Sequence, residues 1–136
     1  MSELGKTYKI RDFKEEDRAF VMSTWLRGLY YGNGFFAVMP KDVFMENYKK
    51  YLDLLINKSV IKIACLVDDE DTILGYSVLS TDLAVLHWIF IKKLFRQKGV
   101  ARTLCPSNLK YFSHFTDLGL QLKNKLNGAV FNPFAL

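Results

Sequence analysis

Helical and strand-like hydrophobic patterns alternate along the chain in the order typical of an α/β domain. Residues 7–13 alternate polar and apolar side chains, as a half-buried strand does. Apolar side chains then recur at helical spacing up to about Tyr30. A second helical pattern begins at Pro40, a residue suited to a first helical turn, and ends near Lys58. The first part of the chain therefore predicts a strand followed by two helices.

Three strands are predicted next. Alternating apolar residues over 60–67 and the run 72–80 flank four consecutive acidic residues, which indicates a hairpin with a solvated turn. Gly75 within the second of these strands indicates a bulge or a close backbone approach. Residues 83–91 are apolar on both faces, as in a central strand covered on both sides.

Shorter elements are predicted to complete the domain. A helix after Gly99 must be short because Pro106 would break it. A strand over 109–115, a helix over 117–126 and one edge strand over 129–131 follow. Because there is no repeat, linker or low-complexity segment, residues 1–136 are predicted to form a single α/β domain with a mixed sheet.

Composition narrows the partners that the chain can have. Half of the 136 residues are hydrophobic and 15% are aromatic, which excludes a disordered protein. The formal net charge of +5 indicates an anionic partner, either a nucleotide cofactor, a nucleic acid or an acidic protein. Cys65 and Cys105 show no metal-ligand spacing, so no metal site is predicted. The sequence predicts neither a signal peptide nor a membrane-spanning stretch, and a cytoplasmic location is expected.

The stretch from Arg96 to Ala101 has the local order expected of a phosphate-binding turn. It follows an apolar run and precedes residues that favour a helix, whose first N–H groups lack intrahelical partners. Gly99 would let the backbone approach a ligand closely. Basic residues add a local field for an anion, and these are Lys92, Lys93, Arg96, Lys98 and Arg102. The alternative is a basic solvated turn that joins a core strand to a helix.

The same residues resemble the pyrophosphate-binding motif of the GNAT N-acetyltransferase superfamily, Arg/Gln-x-x-Gly-x-Gly/Ala. Arg96, Gly99 and Ala101 match its three fixed positions. The order of predicted elements and the segment Ile73–Tyr76 are also similar to that fold. The chain departs from the family at its end, where one short segment replaces a longer hairpin, and this ending resembles short phage members of the fold.

The resemblance implies acetyl-CoA as co-substrate and a set of residues that hold it. In the family, the strand before the phosphate turn carries a bulge and splays from the next parallel strand, and the pantetheine lies in the gap. Main-chain groups of Phe90 and Ile91 would then face the pantetheine and the acetyl carbonyl, and N–H groups of 97–102 would hold the pyrophosphate. The implied cofactor-binding residues are Phe90, Ile91, Arg96, Gln97, Lys98, Gly99, Val100, Ala101 and Arg102.

Two histidines are the candidate catalytic residues. His87 lies in the apolar strand near the position where the family often has its base, and its ordinary pKa near 6.5 suits proton removal. The alternative is a buried core histidine bonded to a neighbour. His114, on the following strand, is the second candidate. Tyr111 lies three residues earlier and faces the opposite side by strand alternation, so it is expected to pack.

An aromatic connection between the first two helices is the candidate acceptor site. Tyr30, Tyr31 and Phe35 accompany two glycines and an asparagine there. Polar loops are the norm, so such an aromatic segment either packs onto the core or lines a site. Both interpretations remain open from the sequence.

The sequence thus supports an N-acetyltransferase that transfers an acetyl group from acetyl-CoA to a primary amine by direct attack on the thioester. The acceptor would be a small molecule, a protein or a nucleobase, and a homodimer is compatible with the sequence. One alternative is a non-catalytic module of the same fold that binds CoA or a partner protein. The other is a basic nucleic-acid-binding domain, in which the lysines and arginines contact phosphates and aromatic rings stack on bases.

Overall fold

One mixed sheet organises the part of the chain that the computed structural model describes, namely residues 8–96, 99–114 and 129–135. In these ranges six strands lie side by side in the order in which they occur along the sequence. They are β1 (Tyr8–Asp12), β2 (Val60–Leu66), β3 (Ile73–Leu79), β4 (Val85–Ile91), β5 (Tyr111–Phe112) and β6 (Val130–Phe131). The first four strands pair antiparallel, whereas β4–β5 and β5–β6 pair parallel.

Helices cover both faces of this sheet. They are α1 (Arg18–Gly32), α2 (Gly34–Ala37), α3 (Lys41–Lys58) and α4 (Val100–Leu104). Side chains of α1 and α3 pack on one face, and those of α4 pack on the other. Among the described residues, none of the helices has both the length and the apolar character that crossing a membrane requires.

The helical spacing of apolar residues in α1 explains how it docks on the sheet. Val21, Trp25 and Leu29 recur every fourth residue, and each is at most 1% exposed. Trp25 stacks on Trp88 of β4 with ring centroids 6.0 Å apart. Gly28 makes room for that ring, because a Cβ at this position would lie 2.6 Å from Cζ2 of Trp88. Burial of such large side chains contributes about 2–3 kcal/mol each to stability.

The predicted hairpin is confirmed as β2 and β3. Every residue of β3 is buried, because α1 and α3 cover one of its faces and α4 the other. The acidic connection stabilises its own turn. The Thr72 hydroxyl donates to an Asp69 carboxylate oxygen (2.7 Å), and Glu70 pairs with Lys9 of β1. The turn is solvated, as the sequence predicted.

A bulge in β3 and a close approach of β4 explain why residue 75 is a glycine. Ala64 of β2 pairs with Gly75, and Cys65 pairs with Ile73, which leaves Leu74 unopposed as a bulge. The neighbouring strand approaches so closely that a Cβ on Gly75 would lie 2.4 Å from the Phe90 carbonyl oxygen. Both features that the sequence predicted at Gly75 are therefore present.

Several boundaries differ from the prediction. Helix α1 runs through Gly32, two residues beyond Tyr30, and the aromatic connection forms the short helix α2. Strand β5 contains two residues where 109–115 was expected, because it pairs with β4 only at its start. The edge strand expected over 129–131 is confirmed as β6, and the helix expected over 117–126 lies outside the described residues.

Candidate functional site

Strand β4 carries a bulge in the middle of the sheet. Val78 of β3 pairs with Trp88, whereas Leu79 pairs with Leu86, so His87 is the extra residue in β4. A bulge bends its strand and increases the local twist, which turns the rest of the strand away from a neighbour. The resemblance implied such a bulge in this strand.

Strands β4 and β5 part immediately beside this bulge. Their pairs are Val85–Tyr111 and Leu86–Phe112, and the last contact is the Ser113 N–H donating to the Leu86 carbonyl (3.0 Å). Beyond it, residues 87–91 of β4 pair with no strand on that side within the described ranges. Among the described residues, one edge of β4 thus presents main-chain groups that a ligand could bond.

The alternation of peptide groups indicates which residues face this gap. The Lys92 N–H donates to the Leu74 carbonyl on β3 (2.8 Å). Alternation along an antiparallel pair then directs the peptide groups of Phe90 towards β3 and those of Ile89 and Ile91 away from it. In agreement, the Ile91 carbonyl accepts a hydrogen bond from Arg96 Nε (2.9 Å). Ile89 and Ile91 are thus better placed than Phe90 to face the gap.

The turn after β4 holds Gly99 in a conformation that other residues rarely adopt. Gly99 has φ 86° and ψ 0°, in the left-handed region, and directly precedes α4. No other atom lies within 4 Å of the position of a Cβ there, so the space in front of it is open. The predicted residues Gln97 and Lys98 lie outside the described residues.

The first amides after this turn have no hydrogen-bond acceptor among the described residues. The N–H groups of Gly99, Val100, Ala101 and Arg102 make no hydrogen bond within the described part of the chain. Carbonyl groups of the same segment, in contrast, accept hydrogen bonds. The Thr103 N–H donates to the Gly99 carbonyl, and the Cys105 N–H donates to the Ala101 carbonyl. Val100 is buried on the sheet, whereas Ala101 and Arg102 are exposed.

The two predicted histidines both hydrogen-bond to the hydroxyl of Ser113, a residue that no sequence motif marks. The Ser113 hydroxyl lies 2.7 Å from His87 Nδ1 and 2.9 Å from His114 Nδ1. A hydroxyl has one proton, so it donates to one ring and accepts from the other, and the two histidines are opposite tautomers. His87 is only 1% exposed, and Ser113 is buried as well.

Burial makes both histidines weaker bases than the sequence suggested. Burial, reinforced by the charge of Lys58, lowers the pKa of His87 to about 4. Burial and, to a lesser extent, the nearby His87 lower the pKa of His114 to about 4 as well. Both rings are therefore neutral at pH 7. The position of His87 corresponds to the alternative of a buried core histidine bonded to a neighbour, here a hydroxyl.

A pocket of about 260 Å³ lies in front of His114. It brings together the aromatic connection, α1, α3 and the ends of β5 and β6. The lining residues are Leu29, Asn33, Phe35, Phe36, Tyr48, Tyr51, Ser113, His114, Phe131 and Pro133. Phe35 is thus placed in the pocket together with His114.

Tyr30 and Tyr31 are not among the residues that line this pocket. Tyr30 is buried, and its hydroxyl donates to the Met39 carbonyl (2.8 Å). Tyr31 is exposed, and its ring lies 5.2 Å from the Lys41 ammonium. The connection therefore both packs on the core and lines a pocket, with different residues in each role.

Tyr48 and Tyr51 line the pocket, although their positions in the sequence predicted core residues of a helix. Their spacing on one face of α3 is that of core residues and does not indicate that they line a cavity. Burial raises the pKa of Tyr48 to about 12 and also raises the pKa of Tyr51, so both are protonated at pH 7. Among the described residues, no three histidine, cysteine or acidic side chains cluster in a way that would hold a metal ion.

No protein-family model and no curated protein matches this sequence. Solved structures do match. A possible acetyltransferase from Clostridium difficile 630 superposes with a TM-score of 0.55 at 11% identity, covering 96% of this chain and 95% of that one. A GCN5-related N-acetyltransferase from Rhodopseudomonas palustris matches with a TM-score of 0.49 at 12% identity, covering 90% and 66%.

YjaB from Escherichia coli matches with a TM-score of 0.45 at 18% identity, covering 71% of this chain. The chain spans 60% of the length of that protein, which is less than two thirds. The likeness to the C. difficile protein, over almost all of both chains, shows that the fold is GNAT-like, as the sequence predicted. At 11% identity it shows the fold alone.

Proposed function

We propose that this chain is an acetyl-CoA-dependent N-acetyltransferase that acetylates a primary amine. The observation that carries the proposal is that, among the described residues, β4 has an unpaired edge after its bulge at His87 and is followed by a left-handed turn at Gly99. Unpaired main-chain N–H and C=O groups inside a sheet cost free energy unless another group forms hydrogen bonds with them. Arg96, the first motif position, bonds through Nε to the Ile91 carbonyl at the end of β4, and Gly99 and Ala101 follow it in the chain.

The turn suits a diphosphate. The N–H groups of Gly99, Val100, Ala101 and Arg102 are without protein partners among the described residues, and the left-handed Gly99 leaves open space in front of them. Main-chain N–H groups in such a turn bind anionic oxygens well. Arg96 and Arg102 add positive charge, and so do Lys92 and Lys93 at the end of β4. Gln97 and Lys98 complete the proposed segment.

The gap beside β4 suits an extended chain with amide groups, such as pantetheine. Ile89 and Ile91 direct peptide groups into it, and Phe90 lies between them. The Ile91 carbonyl is already bonded to Arg96, so the remaining groups of Ile89 and Ile91 would carry the recognition. Specificity for main-chain-like amides explains why the side chains here are ordinary apolar residues.

Acetyl-CoA, when bound, supplies an acetyl thioester for attack by an amine. The chain's own contribution is to orient both reactants and to stabilise charge that develops on the thioester carbonyl, for which the β4 amides are the proposed donors. His114 faces the pocket, and His87 reaches it only through the Ser113 hydroxyl. We assign His114 to contact with the acceptor amine. We assign His87 to orientation of the Ser113 hydroxyl and, through it, of the His114 ring.

A CoA-binding module without turnover is the second candidate. It is favoured by one observation, namely that burial lowers the pKa of both histidines to about 4, so neither is a strong base at neutral pH. It shares the cofactor site with the enzyme and differs only in the absence of acetyl transfer.

Calorimetric titration with acetyl-CoA tests the phosphate turn. Gly99→Val should weaken binding at least about 10-fold, because a β-branched residue disfavours φ near 86° and distorts the amide array. Gly99→Asn is the matched control, since asparagine tolerates the left-handed region and should lose much less affinity. Both variants should stay folded, because a Cβ at this site meets no other atom within 4 Å.

Two results would contradict the proposal. One is an affinity for acetyl-CoA that is the same in Gly99→Val and in the unaltered protein. The other is the absence of acetyl-CoA binding together with strongly salt-dependent binding of an oligonucleotide, which would favour a nucleic-acid-binding domain.

A further inference from the structure

The chemistry of the pocket in front of His114 restricts the acceptor. Aromatic rings dominate its lining, and the rings contact each other. Phe36 lies 5.3 Å from Tyr48, and Tyr48 lies 5.5 Å from Tyr51, measured between ring centroids. Tyr51 in turn lies 6.0 Å from the His114 ring. Such a connected cluster is pre-formed, and it presents flat apolar surface to a ligand.

The described lining residues carry no formal charge. None of the described lining residues is an aspartate, a glutamate, a lysine or an arginine. An ammonium ion that enters would lose hydration without gaining a counter-charge, at an effective penalty of several kcal/mol. Contact with ring faces returns only about 0.5–2 kcal/mol. For the described lining residues desolvation therefore outweighs the cation–π gain, and they disfavour a charged amine.

Proton removal leads to the same restriction. Only an uncharged amine can attack a thioester, so an ammonium ion must first lose a proton to a base. Among the described lining residues the titratable groups are Tyr48, Tyr51 and His114, and His87 lies behind Ser113. Burial leaves both tyrosines protonated and both imidazoles weakly basic at neutral pH. No described lining group would deprotonate an ammonium ion efficiently.

We propose that this pocket accepts an aromatic amine, of the aniline type, that is uncharged at neutral pH. The inference rests on the proposed acetyl transfer and specifies its acceptor class. The ring of the amine would stack within the cluster that contains Phe35 and Tyr51, and its nitrogen would bond to His114. The nitrogen forms the new N–C bond as the thioester C–S bond breaks, and one amine proton leaves with the thiol, so no further reactant is needed.

Binding of three small amines at pH 7.5, followed by NMR or calorimetry without acetyl-CoA, tests the inference. Aniline is aromatic and uncharged, benzylamine is aromatic and charged, and cyclohexylamine is charged and not aromatic. Aniline should bind at least about tenfold more tightly than either of the others. Raising the pH until benzylamine is uncharged should restore its binding, which separates the effect of charge from that of shape.

A pair of phenylalanine variants locates the binding. Phe35→Ala should weaken aniline binding several-fold, because Phe35 lines the pocket, and it should fold normally since this side chain is 77% exposed. Phe134→Ala is the matched control, because Phe134 is 88% exposed and lies outside the lining. With acetyl-CoA added, mass spectrometry should detect acetylated aniline in preference to the charged amines.

Two outcomes overturn the inference. They are equal or tighter binding of a charged amine at pH 7.5, and aniline binding that does not respond to Phe35→Ala. Failure of acetyl-CoA to bind would instead remove the proposed transfer reaction, while the order of the three amines would still decide which class of ligand the pocket takes.

Discussion

At the scale of single residues, the hydroxyl of Ser113 joins the imidazole of His87 on β4 to that of His114, which follows β5. It is the only group that connects the bulge residue His87 to the pocket residue His114 within the described part of the chain. Because both tautomers depend on this hydroxyl, Ser113 is a positioning residue for His114.

Ser113→Ala should therefore lower turnover while the affinity for acetyl-CoA stays unchanged. It should also lower the free energy of unfolding by about 1–3 kcal/mol, because a buried ring nitrogen loses its partner. Steady-state kinetics and urea unfolding would measure the two effects. Ser113→Thr, which keeps the hydroxyl, should restore turnover.

Ser80→Ala is a control for the loss of a buried serine. Ser80 is also buried and bonded, to Asp82 and to the Val85 N–H, at the other end of β4. It should lose stability without losing turnover. Equal turnover in Ser113→Ala and the unaltered protein would show that the hydrogen-bonded group has no part in the reaction.

At the scale of elements, the packing of α1 on β4 depends on the absence of a side chain at Gly28. Gly28→Ala would gain about 0.5–1 kcal/mol from helix propensity. It would also place a Cβ 2.6 Å from the buried Trp88 ring, and such overpacking costs about 1–3 kcal/mol. Since the second effect is larger, thermal unfolding should show a lower midpoint.

Gly34→Ala is the matched control for that substitution. A Cβ on Gly34 meets no atom within 4 Å, so only the propensity gain remains, and the midpoint should be unchanged or slightly higher. If the Gly28→Ala protein is as stable as the original, the Trp88 ring can shift to accommodate the added Cβ, and the overpacking argument is wrong.

The elements that the sequence predicted well are those with long periodic patterns. Helix α3 and the β2–β3 hairpin were predicted to within a few residues, because one face of each element is apolar over several repeats. The two-residue strand β5 could not be bounded in this way. Its length depends on where β4 bends away, which is a property of the tertiary structure.

The candidate site was predictable only in part, for the same reason. Arg96, Gly99 and Ala101 form a local motif, so the sequence alone placed the turn. The pocket, in contrast, brings Phe35, Tyr51 and His114 together from distant segments. No local pattern distinguishes Tyr51 from a core residue of α3, and the weak basicity of His87 arises from burial that appears only in the folded chain.

At the scale of the whole molecule, the two histidines link stability to pH. Each has a pKa near 4 in the folded chain and an ordinary value near 6.5 when unfolded. Between these values the unfolded state binds more protons, so stability rises with pH there. The contribution is fully present above pH 6.5 and is lost as the pH falls towards 4.

The free energy of unfolding should therefore decrease by about 2 kcal/mol per histidine between pH 7.5 and pH 5. Urea unfolding at several pH values measures this, and the double variant His87→Gln, His114→Gln should flatten the profile. Asp17 acts only at lower pH. Burial raises its pKa, but hydrogen bonds from Arg11 and the Lys14 N–H outweigh this and lower it. A profile that is already flat in the unaltered protein would contradict the burial of the two rings.

The stacked pair of Trp25 and Trp88 gives the molecule a built-in optical probe. The chain has only two tryptophans, so all of its indole emission originates from this one place in the core. The rings of His114 and Trp25 lie nearly perpendicular to each other, with 5.8 Å between their centroids. Because a protonated imidazole quenches indole fluorescence more than a neutral one, we expect protonation of His114 to lower the intensity of the native protein, and a label-free pH titration would measure it.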